Sequence, residues 1–348
     1  MRQSNAVTIN ADVLSVIIVN HNTGSNLSQC VQSLLAETKQ DVSLELIIID
    51  NASMDDSLLQ LPKELRREQV VIHNPKNVGF AVACNQGLKR ASGGNLLLLN
   101  PDTVILPRAI QDSLAFLIQT PEAGIVGCRQ LDTQGQPRNT CRTFPTALDY
   151  LFDSLFLTKI FPRSRLFGRF YLTNQAFDGP TEVDVVNGAF LMFKRSLMDD
   201  IGLLDERYFM YTEERDYCYR AKLAGWKIYY YPLAEIVHEG GVSTRQRALE
   251  MFVEQRKSML LFHKKYDSRS RVLLIRIYLF LGIFLRFVAW NIIAVAQKSP
   301  EHRSRQHIYS GATLWFLGLH DPTKLRTSVG NSFSRNRTTR DADVDEIP

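Results

Sequence analysis

The sequence lacks the cysteine patterns that indicate disulfide frameworks or zinc sites. Its five cysteines are odd in number, and no two of them form a C-x-x-C pair. Residues 1–12 are polar and have no apolar core of the kind found in secretory signal peptides. We therefore expect a disordered N-terminus over residues 1–12, a reduced cytosolic environment, and thiols that serve as small core side chains.

Two common phosphate-binding motifs are absent as well. The chain contains neither G-x-G-x-x-G nor G-x-x-x-x-G-K-[ST], which excludes a dinucleotide fingerprint and a P-loop. It also shows no internal repeat. Any nucleotide site must therefore be built from other polar groups.

The excess of positive charge is confined to one segment. The chain has 348 residues and a net charge of +5. Between Arg256 and Arg305 there are 11 Lys and Arg but 2 Asp and Glu, so this segment carries +9 and the rest carries −4. That asymmetry argues against a nucleic-acid-binding protein and for a local anionic partner. The hydrophobic share of 45% and the charged share of 22% are those of a globular protein.

Buried strands and helical segments alternate along the first hundred residues. Strands are predicted over residues 13–20, 44–50, 70–73 and 96–99. This alternation is typical of an α/β protein with a mainly parallel sheet and flanking helices. Polar groups follow these strands or open the next helix, which favours a nucleotide site at one sheet edge over ordinary polar loops. They are Asn20, Asp50–Asn51, Asn77–Gly79 and Asn100–Asp102.

The fourth strand carries the most informative carboxylate. Four leucines, Leu96–Leu99, read as a strand buried on both faces, and Pro101 ends its pairing. Asp102 then lies at the carboxyl end of the strand, where a hard divalent cation could hold a diphosphate. The alternative is that Asp102 only caps the next helix or closes a turn.

Four segments in this order resemble the family 2 glycosyltransferases of the GT-A fold, notably bacterial rhamnosyltransferase-like members that build cell-surface polysaccharides. The segments are LSVIIVN, LIIIDNAS, NPKNVGFAVACNQGL and LLLLNPDT. The resemblance runs from about Leu14 to His238. It implies a Rossmann-like, mainly parallel sheet with flanking helices, in which residues 13–130 bind the nucleotide and residues 131–250 bind the acceptor.

The same resemblance implies roles for individual residues. Asp50 and Asn77 would contact the nucleoside, and Asp102 with His238 would hold Mn²⁺ or Mg²⁺ on the donor diphosphate. An imidazole beside a carboxylate favours Mn²⁺. Further residues are expected in the nucleotide-sugar site: Asn20, Asn51, Ser53, Gly79, Asn85, Asn100 and Gly188.

The second half is expected to supply the chemistry. Residues 183–193 read as one buried strand, in which Gly188 indicates a close backbone approach, and residues 229–232 read as a last edge strand. Three carboxylates follow at a helix start, where the helix dipole alone could explain them. This stretch resembles the family's Glu-Asp motif, which implies that Glu214 is the general base, with Glu213 and Asp216 as alternatives. Residues 142–176 read as a mobile loop or short helices near an acceptor, or as an irregular layer over the core.

The C-terminal part is predicted to form a basic amphipathic helical appendage over residues 251–327, followed by a disordered tail over 328–348. Val272–Ala296 is long and apolar enough to cross a bilayer, but Arg276 and Arg286 interrupt it. We expect it to lie in the membrane interface with both arginines toward the headgroups. A true span, or a helix that covers the catalytic domain or a dimer seam, are the alternatives.

The function that follows is inverting, metal-dependent transfer of one sugar per visit, since the Q-x-x-R-W pattern of processive synthases is absent. By resemblance the donor is dTDP-rhamnose and the acceptor a lipid-diphosphate-linked sugar or glycan. The enzyme would act at the inner face of the cell membrane, attached to its anionic surface. A sugar-phosphate nucleotidyltransferase and a non-catalytic sugar-nucleotide-binding protein are the alternatives.

Overall fold

The computed structural model describes residues 8–38, 42–62, 70–173, 175–241, 247–296 and 299–327. The chain divides into two units: a first unit of Met1–Phe144 and Arg169–Val242, and a second unit of Pro145–Gly168 and Ser243–Pro348. Residues 145–168 thus group with the C-terminal helices, although the sequence boundaries put them in the domain over 13–250. The predicted tail over 328–348 lies outside the described residues.

The first unit contains twelve strands in the described residues, numbered β1–β12. The first begins within the segment that was predicted to be disordered. The strands are Asn10–Asn20, Ser43–Asp50, Val70–His73, Gly93–Leu99, Thr103–Ile105, Ala123–Leu131, Pro137–Arg138, Cys141–Arg142, Thr181–Val183, Val185–Val186, Phe190–Lys194 and Lys227–His238.

Ten α-helices, α1–α10, are present in the same described part of the chain. Two short 3₁₀ helices, Leu58–Gln60 and Pro322–Thr327, accompany them. The α-helices are Asn26–Thr38, Phe80–Leu88, Ala109–Gln119, Ala147–Ser154, Leu157–Ile160, Arg195–Ile201, Glu213–Leu223, Ala248–Tyr266, Arg269–Ala296 and Pro300–Phe316.

The main sheet has the strand order β3-β2-β1-β4-β11-β6-β12-β5. Strands β3, β2, β1 and β4 are all parallel, as the alternation predicted, and β6 is parallel to β12. Strand β11 is antiparallel to both of its neighbours and joins these two parallel parts. The parallel register brings the carboxyl ends of β1, β2 and β3 to the same level of one edge.

Both faces of this sheet are buried, which explains the continuous apolar runs. Along β1, Ile17 and Val19 belong to one core cluster, and Val16 and Ile18 to the other. Helix α2 packs on the first face and α1 on the second. Because side chains alternate between the faces of a strand, a sheet covered by helices on both sides needs apolar residues at every position.

Two strand predictions were wrong in their extent. Residues 183–193 do not form one strand, because the Asn187 side chain accepts the N–H of Ala189 at 2.8 Å and turns the chain between β10 and β11. Residues 229–231 are not an edge strand but part of β12, which pairs on both sides. Pro232 is tolerated there because it lies at a register shift between Tyr231 and Glu235.

The second unit consists of helices around two small apolar clusters. Val253, Ile283 and Ala312 lie in one cluster, and Tyr150 and Ile275 in the other. Helix α9 is the one described helix that is long and apolar enough to cross a membrane. Residues 142–176 include α4 and α5, in accordance with the short-helix alternative.

The predicted direction of Arg286 was wrong. It is 8% exposed, its Nη2 lies 3.5 Å from Asp153 Oδ2, and its guanidinium lies 4.4 Å from the centre of the Phe156 ring. Arg276, by contrast, is exposed, as expected. The sequence could not separate the two arginines, because it does not show that Asp153 belongs to the same unit.

Candidate active site

Asn20, at the carboxyl end of β1, is a fully buried polar anchor. Its Nδ2 lies 3.1 Å from Asp50 Oδ1, 3.0 Å from Ser53 Oγ and 2.8 Å from Ser57 Oγ. The Thr23 hydroxyl donates to its Oδ1. Because its amide is engaged within the protein, Asn20 holds Asp50 and Ser53 in place. The structure thus gives it a supporting position beneath the edge instead of the predicted donor contact.

Asp50 is the carboxylate that this anchor holds. It lies opposite Asn20 across the β1–β2 pair and opposite His73 across the β2–β3 pair. One carboxylate oxygen is bound by Asn20, and the other lies 3.7 Å from Nδ1 of the exposed His73 ring. Asp50 is therefore fixed in direction at the sheet edge, as the sequence predicted.

The loop that opens α2 is tied to the same edge. Asn51 Nδ2 donates to Asn77 Oδ1 at 3.0 Å, and Asn51 Oδ1 accepts the N–H of Val78 at 3.0 Å. Gly79 has a φ of +90°, and a Cβ there would lie 2.7 Å from the carbonyl oxygen of Phe209. A glycine is therefore required where the loop before α7 contacts the start of α2. Asn51, Asn77 and Gly79 come together as predicted.

Asn85 does not belong to the group of residues at this sheet edge. Its Nδ2 donates to the Leu204 carbonyl at 2.8 Å, and its Oδ1 accepts the N–H of Leu204 at 3.0 Å. The residue is 1% exposed. It therefore ties α2 to the loop after α6, and the predicted donor contact was wrong. Its place in the NPKNVGFAVACNQGL segment does not reveal that partner.

Asp102 and His238 are brought together by the pairing of β5 with β12, in which His238 lies opposite Thr103. Asp102 Oδ1 lies 3.3 Å from His238 Nε2, and Asn100 Nδ2 lies 3.5 Å from the same nitrogen. Burial raises the pKa of the Asp102 carboxyl, but the hydrogen bond and charge of His238 outweigh it, so the pKa is lowered. The three predicted residues therefore converge, with Asp102 in its charged form at neutral pH.

Two side chains that were not predicted from the sequence form a chain of hydrogen-bond contacts with His238. Gln130 Oε1 lies 3.1 Å from His238 Nδ1, and Gln130 Nε2 donates to Asn187 Oδ1 at 3.3 Å. Gln130 is 1% exposed at the end of β6. A polar residue at the end of a buried strand was the available signal, but only the β6–β12 pairing shows its partner.

The three carboxylates at the start of α7 have different surroundings. Asp216 is fully buried, accepts from Arg220 Nε at 2.9 Å, and lies 3.3 Å from the Tyr208 hydroxyl. This internal ion pair makes Asp216 structural, so its candidacy as the base was wrong. Glu213 is 6% exposed, and burial followed by repulsion from Glu214 raises its pKa well above the ordinary value.

Glu214 is the half-buried member of the three. Its Cβ and Cγ lie about 3.5 and 3.7 Å from the position that a Cβ on Gly188 would occupy. Burial raises the pKa of Glu214, and the positive charge of Arg215 opposes that rise. Gly188 is the residue that follows Asn187, so Glu214 and the Asp102–His238 pair lie at the two ends of one line of contacts. The sequence predicted Glu214, Asp102 and His238 but not the residues that connect them.

Arg215 adds a positive group beside this base. It is 9% exposed, its guanidinium lies 5.7 Å from the centre of the Phe170 ring, and its Nε and Nη1 have no hydrogen-bond partner in the described part of the chain. Burial lowers the pKa of Arg142, and the positive charge of Arg215 lowers it further. Such a pair suits a negatively charged ligand next to the carboxylate.

The stretch that carries this geometry matches a known protein family. The family model described as "Glycosyltransferase like family 2" matches residues 11–258. The chain belongs to glycosyltransferase family 2. The GT-A fold expected from the resemblance is thereby confirmed, with its mainly parallel sheet and flanking helices.

This glycosyltransferase is similar to several known enzymes. It is 27% identical to an N-acetylglucosaminyl-diphospho-decaprenol L-rhamnosyltransferase of Mycobacterium tuberculosis, over 72% of this chain and 84% of the relative. It is 25% identical to a low-salt glycan biosynthesis hexosyltransferase of Haloferax volcanii, over 74% of this chain and 78% of that protein. A solved structure of Staphylococcus aureus TarS covers 90% of this chain and 85% of that chain, with 16% identity and a TM-score of 0.45.

The glycosyltransferase has few side chains that could serve as ligands of a divalent cation. No group of three or more His, Cys, Asp and Glu side chains with metal-binding geometry occurs within the ranges that the structure describes. Asp102 and His238 nevertheless form a converging carboxylate and imidazole. A cavity of about 90 Å³ beside Asp102, also lined by Thr133 and Glu239, leaves room for water. These residues fit a cation that takes its remaining ligands from water and from a diphosphate.

Proposed function

We propose that this glycosyltransferase transfers one sugar, with inversion at the anomeric carbon, from a nucleotide sugar to a hydroxyl of a lipid-diphosphate-linked or glycan acceptor. The observation that supports this most is that the three carboxylates on α7 have different surroundings. Asp216 is locked by Arg220, Glu213 is buried, and Glu214 alone is half-buried beside Gly188. One accessible carboxylate suits a direct displacement that needs one base.

In the proposed step, Glu214 accepts the proton of the acceptor hydroxyl. The hydroxyl oxygen forms a bond to the anomeric carbon while the bond from that carbon to the diphosphate oxygen breaks. The electron pair of the broken bond leaves with the nucleoside diphosphate. Glu214 must be ionised to accept the proton, and the charge of Arg215 favours that form. Arg215 also lies where it can attract an anionic group of the substrates.

The diphosphate end of the donor is assigned to Asp102 and His238. These two residues would hold Mn²⁺ or Mg²⁺, and the cation when bound supplies positive charge to the leaving diphosphate. Asn100, whose amide lies next to His238, lines the same place. The nucleoside end is assigned to Asp50 and Asn77, and the fixed direction of both side chains supports this.

Rhamnose is the sugar we propose, with dTDP-rhamnose as donor. The support is the resemblance of the four sequence segments and the similarity to the mycobacterial rhamnosyltransferase at 27% identity. The name of that relative also states a diphosphate-linked lipid acceptor, which agrees with cationic Arg142 and Arg215 near the base. The Haloferax relative is named as a hexosyltransferase, which agrees with transfer of a six-carbon sugar.

We assign the second unit to the surface of the membrane. On α9 seven exposed apolar residues fall within roughly 100° of one another at about 100° per residue. These residues are Leu273, Leu274, Ile277, Phe284, Val288, Ile292 and Val295. This apolar stripe extends about 33 Å at 1.5 Å per residue. The buried residues of the helix, Arg286 among them, lie on the opposite side.

Basic residues precede that stripe. Lys264 and Arg269 are exposed at the junction of α8 and α9, and Arg271 is exposed two residues further on. Apolar burial and attraction of Lys and Arg to anionic headgroups together produce stable attachment without a span. The enzyme would then work at the cytoplasmic face, where a lipid-linked acceptor is presented.

The donor assignment is tested with the purified full chain and a panel of dTDP-, UDP- and GDP-sugars, with Mn²⁺, Mg²⁺ or EDTA. We expect nucleoside diphosphate release from dTDP-rhamnose that requires a divalent cation. Asp102→Ala should lose most of the cation-dependent part of donor affinity in calorimetry and keep its fold, because Asp102 lies at a strand end. Donor affinity that is the same in Asp102→Ala and wild type with Mn²⁺ would refute the cation assignment, and release from another donor would refute rhamnose.

A further inference from the structure

The orientation of the Asn187 amide is fixed by the backbone. Its Oδ1 accepts the N–H of Ala189 at 2.8 Å at the turn between β10 and β11. An NH₂ group at that position would place two donors against each other. The side chain of Asn187 therefore presents its oxygen, an acceptor, toward Gln130.

That acceptor in turn orients the Gln130 amide. Gln130 Nε2 lies 3.3 Å from Asn187 Oδ1, so the NH₂ group must be on that side and the carbonyl oxygen on the other. Gln130 Oε1 then lies 3.1 Å from His238 Nδ1. An amide oxygen has no hydrogen to donate, so His238 must donate from Nδ1.

We propose that Gln130, oriented by Asn187, is a positioning residue that fixes the Nδ1–H tautomer of His238 and leaves the lone pair of Nε2 for a divalent cation. The proposal rests on the assignment of Asp102 and His238 as the cation-binding pair. A metal-bound histidine commonly donates its other ring N–H to an oxygen, which sets the ring orientation and the tautomer.

The other side of the imidazole suits this tautomer once a cation lies between Nε2 and Asp102. In the neutral ring, Nε2 carries a lone pair that lies 3.3 Å from Asp102 Oδ1, which is also an acceptor. Two acceptors at this distance repel each other unless a cation or a proton lies between them. Asn100 Nδ2, at 3.5 Å from Nε2, is on the same side and suits a nitrogen that accepts.

The tautomer is measured by ¹⁵N NMR of the histidine-labelled full chain, with His238→Asn used to assign the His238 signals among seven histidines. In wild type near pH 8 we expect a protonated Nδ1 without metal, and on addition of Mg²⁺ an Nε2 that carries no proton. Gln130→Leu, which is similar in volume, should shift His238 toward the other tautomer, with Nε2–H donating to Asp102. Mn²⁺ affinity, measured by calorimetry without any sugar, should weaken by about 10–100-fold.

Two substitutions at Asn187 separate positioning from simple packing. Asn187→Asp keeps an oxygen for both the Ala189 N–H and Gln130 Nε2, so it should retain the tautomer and the Mn²⁺ affinity. Asn187→Leu frees the Gln130 amide to turn over, so it should give a mixture of tautomers and weaker binding. Gln134→Leu, at an exposed turn residue, is the matched control and should change neither.

The outcomes decide the proposal independently of the sugar chemistry. A His238 tautomer that is unchanged in Asn187→Leu and in folded Gln130→Leu would overturn it. Weaker Mn²⁺ binding with an unchanged tautomer would also overturn it. If no sugar donor is turned over but the tautomer shifts as described, the proposed sugar transfer fails and the positioning role stands.

Discussion

The two units of the chain differ in where they keep their large apolar side chains. Among the described residues, 21 large apolar side chains are exposed, and 15 of them belong to the second unit. The first unit is the larger of the two in described residues, yet it exposes only six. Contiguous exposed apolar surface on a soluble protein indicates a surface that something else covers. The comparison indicates that the first unit buries most of its own large apolar side chains, whereas the second leaves an apolar surface that we propose is covered by the membrane.

Buried polar groups have different roles in the two units. In the first unit they converge on one sheet edge, where the buried Asn20 and Gln130 hold other side chains in fixed directions. In the second unit the buried Arg286 and His263 bind Asp153 and Asp267 within the helices. Polar burial serves a site in one unit and helix packing in the other. Changes in the two units should therefore have separable effects on catalysis and on membrane attachment.

The largest expected effect is that of Glu214→Gln on catalysis. Loss of a general base should lower the rate of transfer by about 10²–10⁴-fold while donor affinity persists. Membrane attachment should not change, because the residue belongs to the first unit. The measurement is single-turnover kinetics with saturating donor, together with vesicle flotation.

Glu213→Gln is the matched control for that change. It alters the neighbouring carboxyl by the same atoms but at a buried position, so we expect a much smaller loss of rate. If Glu213→Gln is the more damaging substitution, the base has been assigned to the wrong residue. If Glu214→Gln also detaches the protein from vesicles, the two units do not act separately.

A smaller effect is expected for the basic residues before the apolar stripe. Replacing Lys264, Lys265 and Arg269 by Gln should weaken binding to anionic vesicles by about 2–3 kcal/mol, at about 1 kcal/mol for each charge near the surface. High salt should act in the same direction on wild type, since the screening length falls to about 3 Å at 1 M. Flotation with phosphatidylserine vesicles measures both, and turnover of a soluble acceptor should be unchanged.

Arg271→Gln is the internal control for that set. Arg271 Nη1 already lies 2.8 Å from Asp267 Oδ1, so its charge is partly compensated and its loss should matter less. Release that needs detergent, and that ignores both salt and the triple substitution, would indicate a spanning helix instead. A protein that stays in the supernatant from the start would show that the stripe is covered by protein.

The smallest expected effect is a shift of the acid limb of the pH–rate profile. Burial raises the pKa of Glu214 above its ordinary value of 4.5, and the base must be ionised to act. The rate should therefore fall on acidification at a pH above 4.5. Because Arg215 lowers this pKa, Arg215→Met should move the limb to a still higher pH. An unmoved limb in Arg215→Met would mean that the titrating group is not Glu214.

The sequence predicted those features of the fold that depend on local pattern. The apolar runs of β1, β2 and β4 located the strands, and parallel pairing placed Asn20 and Asp50 at one level as expected. The position of Asp102 at a strand end was predicted in the same way, because Pro101 ends the pairing of the strand. These predictions succeeded because strand identity and strand direction are readable from a few neighbouring residues.

The features that were missed depend on distant partners. Gln130 becomes part of the site only because β6 pairs with β12, and Arg286 is buried only because Asp153 belongs to the same unit. Asn85 and Asp216 were assigned to ligand binding or catalysis, although Leu204 and Arg220 already engage them. A polar residue looks the same in a sequence whether its partner is a substrate or another part of the chain.

The most direct test of the account is the configuration of the new glycosidic bond. The full-length enzyme is incubated with dTDP-rhamnose and a lipid-diphosphate-linked sugar, and the anomeric proton and carbon of the product are compared with those of the donor by NMR. A single displacement assisted by Glu214 predicts the configuration opposite to that of the donor. A product that retains the donor's configuration would contradict the assignment of Glu214 as a base in a one-step transfer.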